Sequence, residues 1–228
     1  MERHPLLRGR RGPAVATYPD GRPLIGASVR LDRVGPTGPP DLPELSELFE
    51  ALDDERVWAG GFAGGPAARP TGPAGLAALL PDPVPGGRVA YLVRSLRDTA
   101  AGPAGTVLGT SSLGDAVLAD ERVHLGWTAY RPAVWGTGIN VETKLLLLEH
   151  VFTDCGFGRV KIQTDARNAR SQAAIARLGA TREGVLRRHK VRADGTFRDT
   201  VVFSIVVDEW PAVRDGLRAR LAALGRPD

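Results

Sequence analysis

The segment from His124 to His150 constrains this chain more than any other. A strand-like run ending at Tyr130 passes through a short loop into a long apolar helix pattern over 138–156, which carries Leu145, Leu146, Leu148, Val151 and Phe152. Between the two, Trp135-Gly136-Thr137-Gly138-Ile139-Asn140 sets two glycines at the helix start. Glycine lets a backbone come close to a ligand, and the first N–H groups of a helix have no partner within it. With the positive end of the helix dipole they form an anion site. A Gly-x-Gly before a helix is also found as an ordinary tight turn. No Gly-Lys-Ser/Thr follows, so this is not a Walker loop. The third glycine of a dinucleotide fingerprint is missing as well.

The surrounding pattern supplies the rest of a domain. Residues 27–34 alternate as a strand, and 41–52 place Leu45, Leu48, Phe49 and Leu52 at helical spacing. The stretch 60–87 is crowded with Gly, Pro and Ala, which predicts a long loop holding one short helix around 75–80, either a lid on the substrate side or a tolerated insertion. Strands follow over 88–94, 106–112 and 116–130, with a hairpin turn at Gly114-Asp115. The polar stripe of the 138–156 helix is Glu142, Glu149 and Thr153. Next come a strand over 159–164 and a helix that Asn168 caps and Gly179 ends. Asp194-Gly195 joins two last strands, 184–192 and 197–207, and a final helix follows Pro211. This order predicts an α/β (α+β) domain with a mixed sheet over 24–210, an N-terminal arm over 1–23 and a C-terminal helix over 211–228.

Composition narrows the function classes. An apolar share of 43% and a charged share of 25% describe a globular protein. No apolar run approaches the roughly 20 residues that cross a bilayer, so no membrane role is expected. Met1 to Gly12 is Arg-rich and lacks the apolar core of a secretory signal. Cys155 is the only cysteine, which excludes an internal disulfide and a cysteine zinc site and suits a cytoplasmic location. No metal site is expected. The net charge of +4 comes from scattered arginines without interleaved aromatics, so nucleic acid is not an expected partner.

Farther along, Asn168-Ala169-Arg170-Ser171, Leu178-Gly179-Ala180 and Glu183-Gly184-Val185-Leu186-Arg187 complete a constellation with His124-Leu125-Gly126-Trp127 and Pro132 to Gly138. Together these residues resemble the GNAT superfamily of N-acetyltransferases, in the pattern of its ribosomal-protein alanine acetyltransferases (RimJ/RimL-like). The resemblance is specific over 120–210, weaker over 25–118 and absent from the first twenty residues. It implies a mixed, mostly antiparallel six- to seven-stranded sheet flanked by helices, with a V-shaped splay between two central strands. It implies acetyl-CoA as cofactor, with the pyrophosphate on the backbone of Trp135, Gly136, Thr137, Gly138, Ile139 and Asn140. The pantetheine arm would run along Thr128, Ala129 and Tyr130 and touch Asn168. Ser171 would bind the sulfur and act as general acid for the departing thiolate.

The implied chemistry is economical. An α-amino group has a pKa of about 7.7–8.0 and a thiol one of about 8.5, so a modest base and one hydrogen-bond donor suffice. A backbone N–H on the cleft strand would meet the oxyanion. Three departures matter. His124 stands where that branch often has Glu, Ala133 opens the Gln/Arg-x-x-Gly-x-Gly/Ala loop, and Lys190 falls where the base carboxylate belongs. His124 and His189 are therefore the candidate bases, and each also reads as a structural histidine. On a regular strand His189 faces away from Lys190, so it needs a one-residue register shift to take over. Three readings stay open: acetylation of a protein or peptide N-terminus, acetylation of a small amine such as an antibiotic, polyamine or amino acid, and a CoA-binding module without catalysis. The superfamily also admits a homodimer.

Overall fold

The computed structural model describes residues 16–35, 42–80 and 86–224. The first fifteen residues of the expected arm lie outside that range. At Ala16 and Thr17 the chain is anchored: Ala16 is buried, and the Thr17 N–H donates to the Cys155 carbonyl at 2.9 Å.

The chain opens with β1 (Leu24–Ile25) and β2 (Val29–Arg33), then α1 (Leu42–Leu52), α2 (Glu55–Ala59) and α3 (Pro73–Ala77). Next come β3 (Val89–Ser95), β4 (Val107–Val117) and β5 (Arg122–Tyr130), followed by α4 (Ile139–Glu149). The remainder is β6 (Arg159–Asp165), α5 (Ala169–Ala176), β7 (Thr181–Val191), β8 (Phe197–Val206) and α6 (Trp210–Leu224). No described helix is long and apolar enough to cross a membrane.

The strands form one eight-stranded sheet in the order β1-β2-β3-β4-β5-β6-β8-β7. The mixed, mostly antiparallel sheet expected from the sequence is borne out, with the two-residue β1 as an addition too short to leave a pattern. Alternation on β3 shows how the layers form. Tyr91 and Val93 join a core under α4 and α6, whereas Leu92 points to the other face, against Leu48, Leu52 and Trp58 of α1 and α2. Each fully buried Leu or Val contributes about 1.5–3 kcal/mol.

Every neighbouring pair is antiparallel except β5 and β6, whose parallel pairing covers only Arg122↔Arg159, Val123↔Val160 and His124↔Lys161. Beyond that point each strand has its own outer neighbour: Tyr130 pairs with Gly109 of β4, and Asp165 with Thr200 of β8. The sheet therefore opens as a V with its vertex at His124 and Lys161.

Several local features depart from the sequence expectation. The β4–β5 turn lies at Leu118–Asp120, closed by Glu121 at φ +48°, and not at Gly114-Asp115. Asp115 is instead a bulge residue at φ +50°, where the ladder shifts between Gly114 and Val117, so the strand runs on past a turn-like dipeptide. Glu142 is not on a solvated stripe. It is buried, and its carboxylate accepts the backbone N–H groups of Ala27 and Ser28 in the β1–β2 turn. The segment after α2 folds as two short 3₁₀ turns, Phe62–Gly64 and Pro66–Ala68, before α3.

Candidate active site

The inner wall of the V is set by a bulge in β5. Thr110 pairs with Ala129 and Ser112 with Gly126, so Trp127 and Thr128 together face Ser111 alone. Trp127 absorbs the extra residue with φ +48°, a conformation that costs a non-glycine residue about 1–2 kcal/mol. Its ring meets the Arg88 guanidinium, 4.7 Å from the ring centroid, and the His124 ring at 4.6 Å. A bulge leaves backbone groups without ladder partners, here on the strand that faces the cleft.

His124 sits at the vertex and is only 4% exposed. Its Nδ1 lies 3.2 Å from Asp115 Oδ2, and Lys161 Nζ reaches the same oxygen at 3.5 Å. Nδ1 faces a carboxylate and so carries the hydrogen, which leaves the Nε2 lone pair bare. Nε2 is buried and has no hydrogen-bond partner among the described residues. Burial pushes the His124 pKa down, opposed by the bond to Asp115 and assisted by Lys161. The His124 bond holds the Asp115 carboxyl well below the usual range. A neutral imidazole beside an ionised carboxylate follows. Gly126 makes room for it, because a Cβ there would stand 2.7 Å from Nε2.

The loop after β5 forms the near rim. Pro132–Val134 is a 3₁₀ turn, and the Trp135 indole N–H donates to the Tyr130 carbonyl at 2.9 Å, which fixes the ring. Gly136 adopts φ +79° with nothing within 4 Å of its Cβ position, so the backbone is open on that side. α4 then starts with Gly138 as N-cap and no side-chain cap; the Ile139 N–H has only a long 3.4 Å contact to Thr137 Oγ1. Uncapped N–H groups facing an open glycine backbone fit an anionic group such as a pyrophosphate.

The far rim is the start of α5. Asn168 caps it through Oδ1, which accepts the Ser171 N–H at 2.9 Å, and its amide donates to the Gly60 carbonyl. Both polar ends of Asn168 are thus engaged by the protein. The Ser171 hydroxyl has no hydrogen bond among the described residues, so it is available in the first helical turn. Arg170, beside it, lies 3.6 Å over the Trp135 ring and links the two rims.

His189 enters through a second bulge. Leu186 pairs with Thr200 but Lys190 with Arg198, so the ladder shifts there by two residues, not the single residue expected for His189 to take the place of Lys190, and Arg188 takes φ +48°. The His189 Nδ1 meets Thr200 Oγ1 at 3.1 Å. Burial, then Lys190, Arg198 and Lys161, push its pKa down. No carboxylate orients it among the described residues.

Two residues of this region escaped the sequence reading. Asp115 looked like a turn residue. Lys144 lies on α4, 5% exposed, and donates to Ser111 Oγ at 2.9 Å and Thr128 Oγ1 at 2.5 Å behind the bulge. A lysine flanked by Val141, Leu147 and Leu148 was the available signal.

A family model described as an acetyltransferase (GNAT) domain matches residues 38–181. The chain belongs to the GNAT acetyltransferases. It is an N-acetyltransferase, and membership of the family implies acetyl-CoA as cosubstrate. A structure assigned as an acetyltransferase from T. thermophilus is 34% identical, with TM-score 0.72, over 90% of this chain and 98% of that one. A GCN5-related N-acetyltransferase from Brucella melitensis shares the fold at 24% identity and TM-score 0.76, over 90% of this chain and 88% of that one. Mycobacterium smegmatis RimJ, solved in complex with CoA-disulfide, shares it at 17% identity and TM-score 0.67, over 90% and 97%. No curated protein matches the chain.

Proposed function

We propose that this protein transfers the acetyl group of acetyl-CoA to a primary amine at the N-terminus of a protein or peptide, with both substrates bound together. The observation that carries the reading is the orphaned Nε2 of His124 at the vertex of the V. A buried ring nitrogen without a partner is rare in a folded protein, and a polar group arriving in the cleft would satisfy it.

The residues present fit acetyl-CoA. Its pyrophosphate suits the uncapped start of α4 and the Trp135–Asn140 backbone, and its pantetheine arm suits the open side of Thr128 to Tyr130. When bound, it supplies the thioester carbonyl that an amine attacks. His124 Nε2 takes the proton of the amine, directly or through one water, while Asp115 holds the ring in the tautomer that makes this possible. Ser171 holds a proton at Oγ for the sulfur that departs. The β5 bulge presents backbone N–H groups to the developing negative charge. His189 lies on the acceptor side and, without an orienting carboxylate, serves better as a contact to the acceptor than as the base.

A chain-like acceptor is favoured by β7, which is an edge strand exposed along almost its whole length. The test is thiol release from acetyl-CoA with peptides differing in their first residue, run beside a panel of polyamines, aminoglycosides and free amino acids. Turnover with peptides is the expected result. Turnover confined to small amines would reassign the acceptor, and binding of CoA with no turnover on any amine would leave a non-catalytic module.

A further inference from the structure

Ala133 leaves the CoA loop without the Gln or Arg side chain that opens the family pattern, and no cation from the loop replaces it. Arg131, the nearest in sequence, is turned away and donates to the Ala101 carbonyl at 3.1 Å. The cation that comes nearest to the loop's Trp135 is supplied by α5.

We propose that Arg170 is the phosphate-binding guanidinium of this enzyme, supplied from α5 to a phosphate group of acetyl-CoA; this rests on the function proposed above. Its carbon centre lies 3.6 Å over the Trp135 ring, and Trp135 heads the loop. Nη2 of the guanidinium also lies close to Gly60, where a Cβ would stand 2.9 Å from it. Arg170 is therefore held in place by an aromatic face and a glycine, and neither consumes its hydrogen-bond donors.

The group also lacks a counter-charge. Among the described residues Arg170 has no carboxylate partner, and burial alone shifts its pKa, downward. Its neighbours are different. Arg56, 6.0 Å from the same ring, is paired with Asp54 through two bonds of 2.9 and 2.7 Å. Arg192 is paired with Asp165 at 2.8 and 3.1 Å. Asp194 is taken up by Thr196.

These side chains line a cavity of about 360 Å³ between Gly60–Pro66 and the start of α5. Gly61 and Gly65 leave open space on its wall, with nothing within 4 Å of their Cβ positions. An anion entering it meets two guanidinium groups without an ion pair among the described residues, Arg167 and Arg170, and of these Arg170 is the one set in place against Trp135 of the loop. A planar guanidinium binds phosphate through two parallel N–H bonds, which gives orientation as well as attraction.

Calorimetric titration of wild type, Arg170→Ala, Arg170→Lys and Arg56→Ala with CoA, 3′-dephospho-CoA and pantetheine tests the assignment. Arg170→Ala is expected to weaken CoA roughly ten- to a hundredfold and to leave pantetheine, which has no phosphate, unchanged. Arg170→Lys should restore part of the loss, and Arg56→Ala should change little. A loss that persists with dephospho-CoA assigns Arg170 to the pyrophosphate. A loss that vanishes assigns it to the 3′-phosphate. Wild-type affinity for CoA in Arg170→Ala overturns the inference, including the case where only the acceptor KM rises, which would place an acid of the acceptor there. Failure of the wild type to bind CoA overturns the underlying function instead.

Discussion

Lys144 Nζ lies 2.5 Å from Thr128 Oγ1, in a pocket of hydroxyls, and has no carboxylate partner among the described residues. Burial pushes its pKa down to about 7, from an ordinary value of 10.5. An ammonium without a counter-ion is costly in an interior. Its folded pKa is below its unfolded one, so the unfolded chain binds more protons between the two values. The destabilisation is full below pH 7 and disappears as pH rises toward 10.5.

Lys144→Met is therefore expected to stabilise the fold by about 1–3 kcal/mol near pH ~6.5, and by much less near pH ~10. Ser111 and Thr128 already lie 2.9 Å apart and can bond to each other in the variant. Urea unfolding at the two pH values measures this; equal effects at both would mean that Lys144 does not titrate in the fold.

If His124 is the base, as proposed, it and Asp115 give a pH signature for catalysis. Only neutral His124 accepts a proton, so kcat/KM should rise with pH through a value below the ordinary histidine pKa, because burial lowers it. Asp115 opposes that lowering, so Asp115→Ala should move the limb to still lower pH and reduce the rate. His124→Ala should cost roughly a hundred- to ten-thousandfold. An unchanged limb in Asp115→Ala would dissociate the carboxylate from the base.

Ser171→Ala removes a donor and no packing. It should lower turnover by roughly ten- to a thousandfold, with CoA affinity nearly intact in a titration. Full activity would end the role of Ser171 as acid.

Gly138→Asp places a carboxylate at the start of α4, where an anion is expected, and should abolish CoA binding. A Cβ at this site meets only Leu221 Cδ2 at 3.3 Å and Leu224 Cδ1 at 3.9 Å, both ends of flexible side chains. Gly138→Ala is accordingly the control for packing and should bind. Equal CoA affinity in the Asp variant and the wild type would remove the loop from the site.

The sheet, the long helix and the Gly-x-Gly loop were legible because periodicity and turn residues report local geometry, and Asn168 as a cap was legible for the same reason. The bulges were not. Nothing in Trp127 or Arg188 announces a left-handed backbone, which packing from elsewhere imposes: Arg88 and His124 hold Trp127, and Phe197 lies 3.7 Å from the Arg188 guanidinium. The partnership of His124 with Asp115 was hidden by the same mechanism, since a Gly-Asp pair usually closes a turn. Arg170 needed the tertiary contact with Trp135, which residue order does not encode.

The short pairing of β5 with β6 has a further consequence. An unpaired strand margin invites other chains, and proteins usually guard it at the rim of a sheet with charge, as the arginines of β7 do here. This protein also carries a gap in the middle of its sheet. Only something about as narrow as a single extended chain can enter between two diverging strands. Selection by width comes before any chemistry, and a strand margin inside such a gap is harder for a second copy of the sheet to reach than one at the rim.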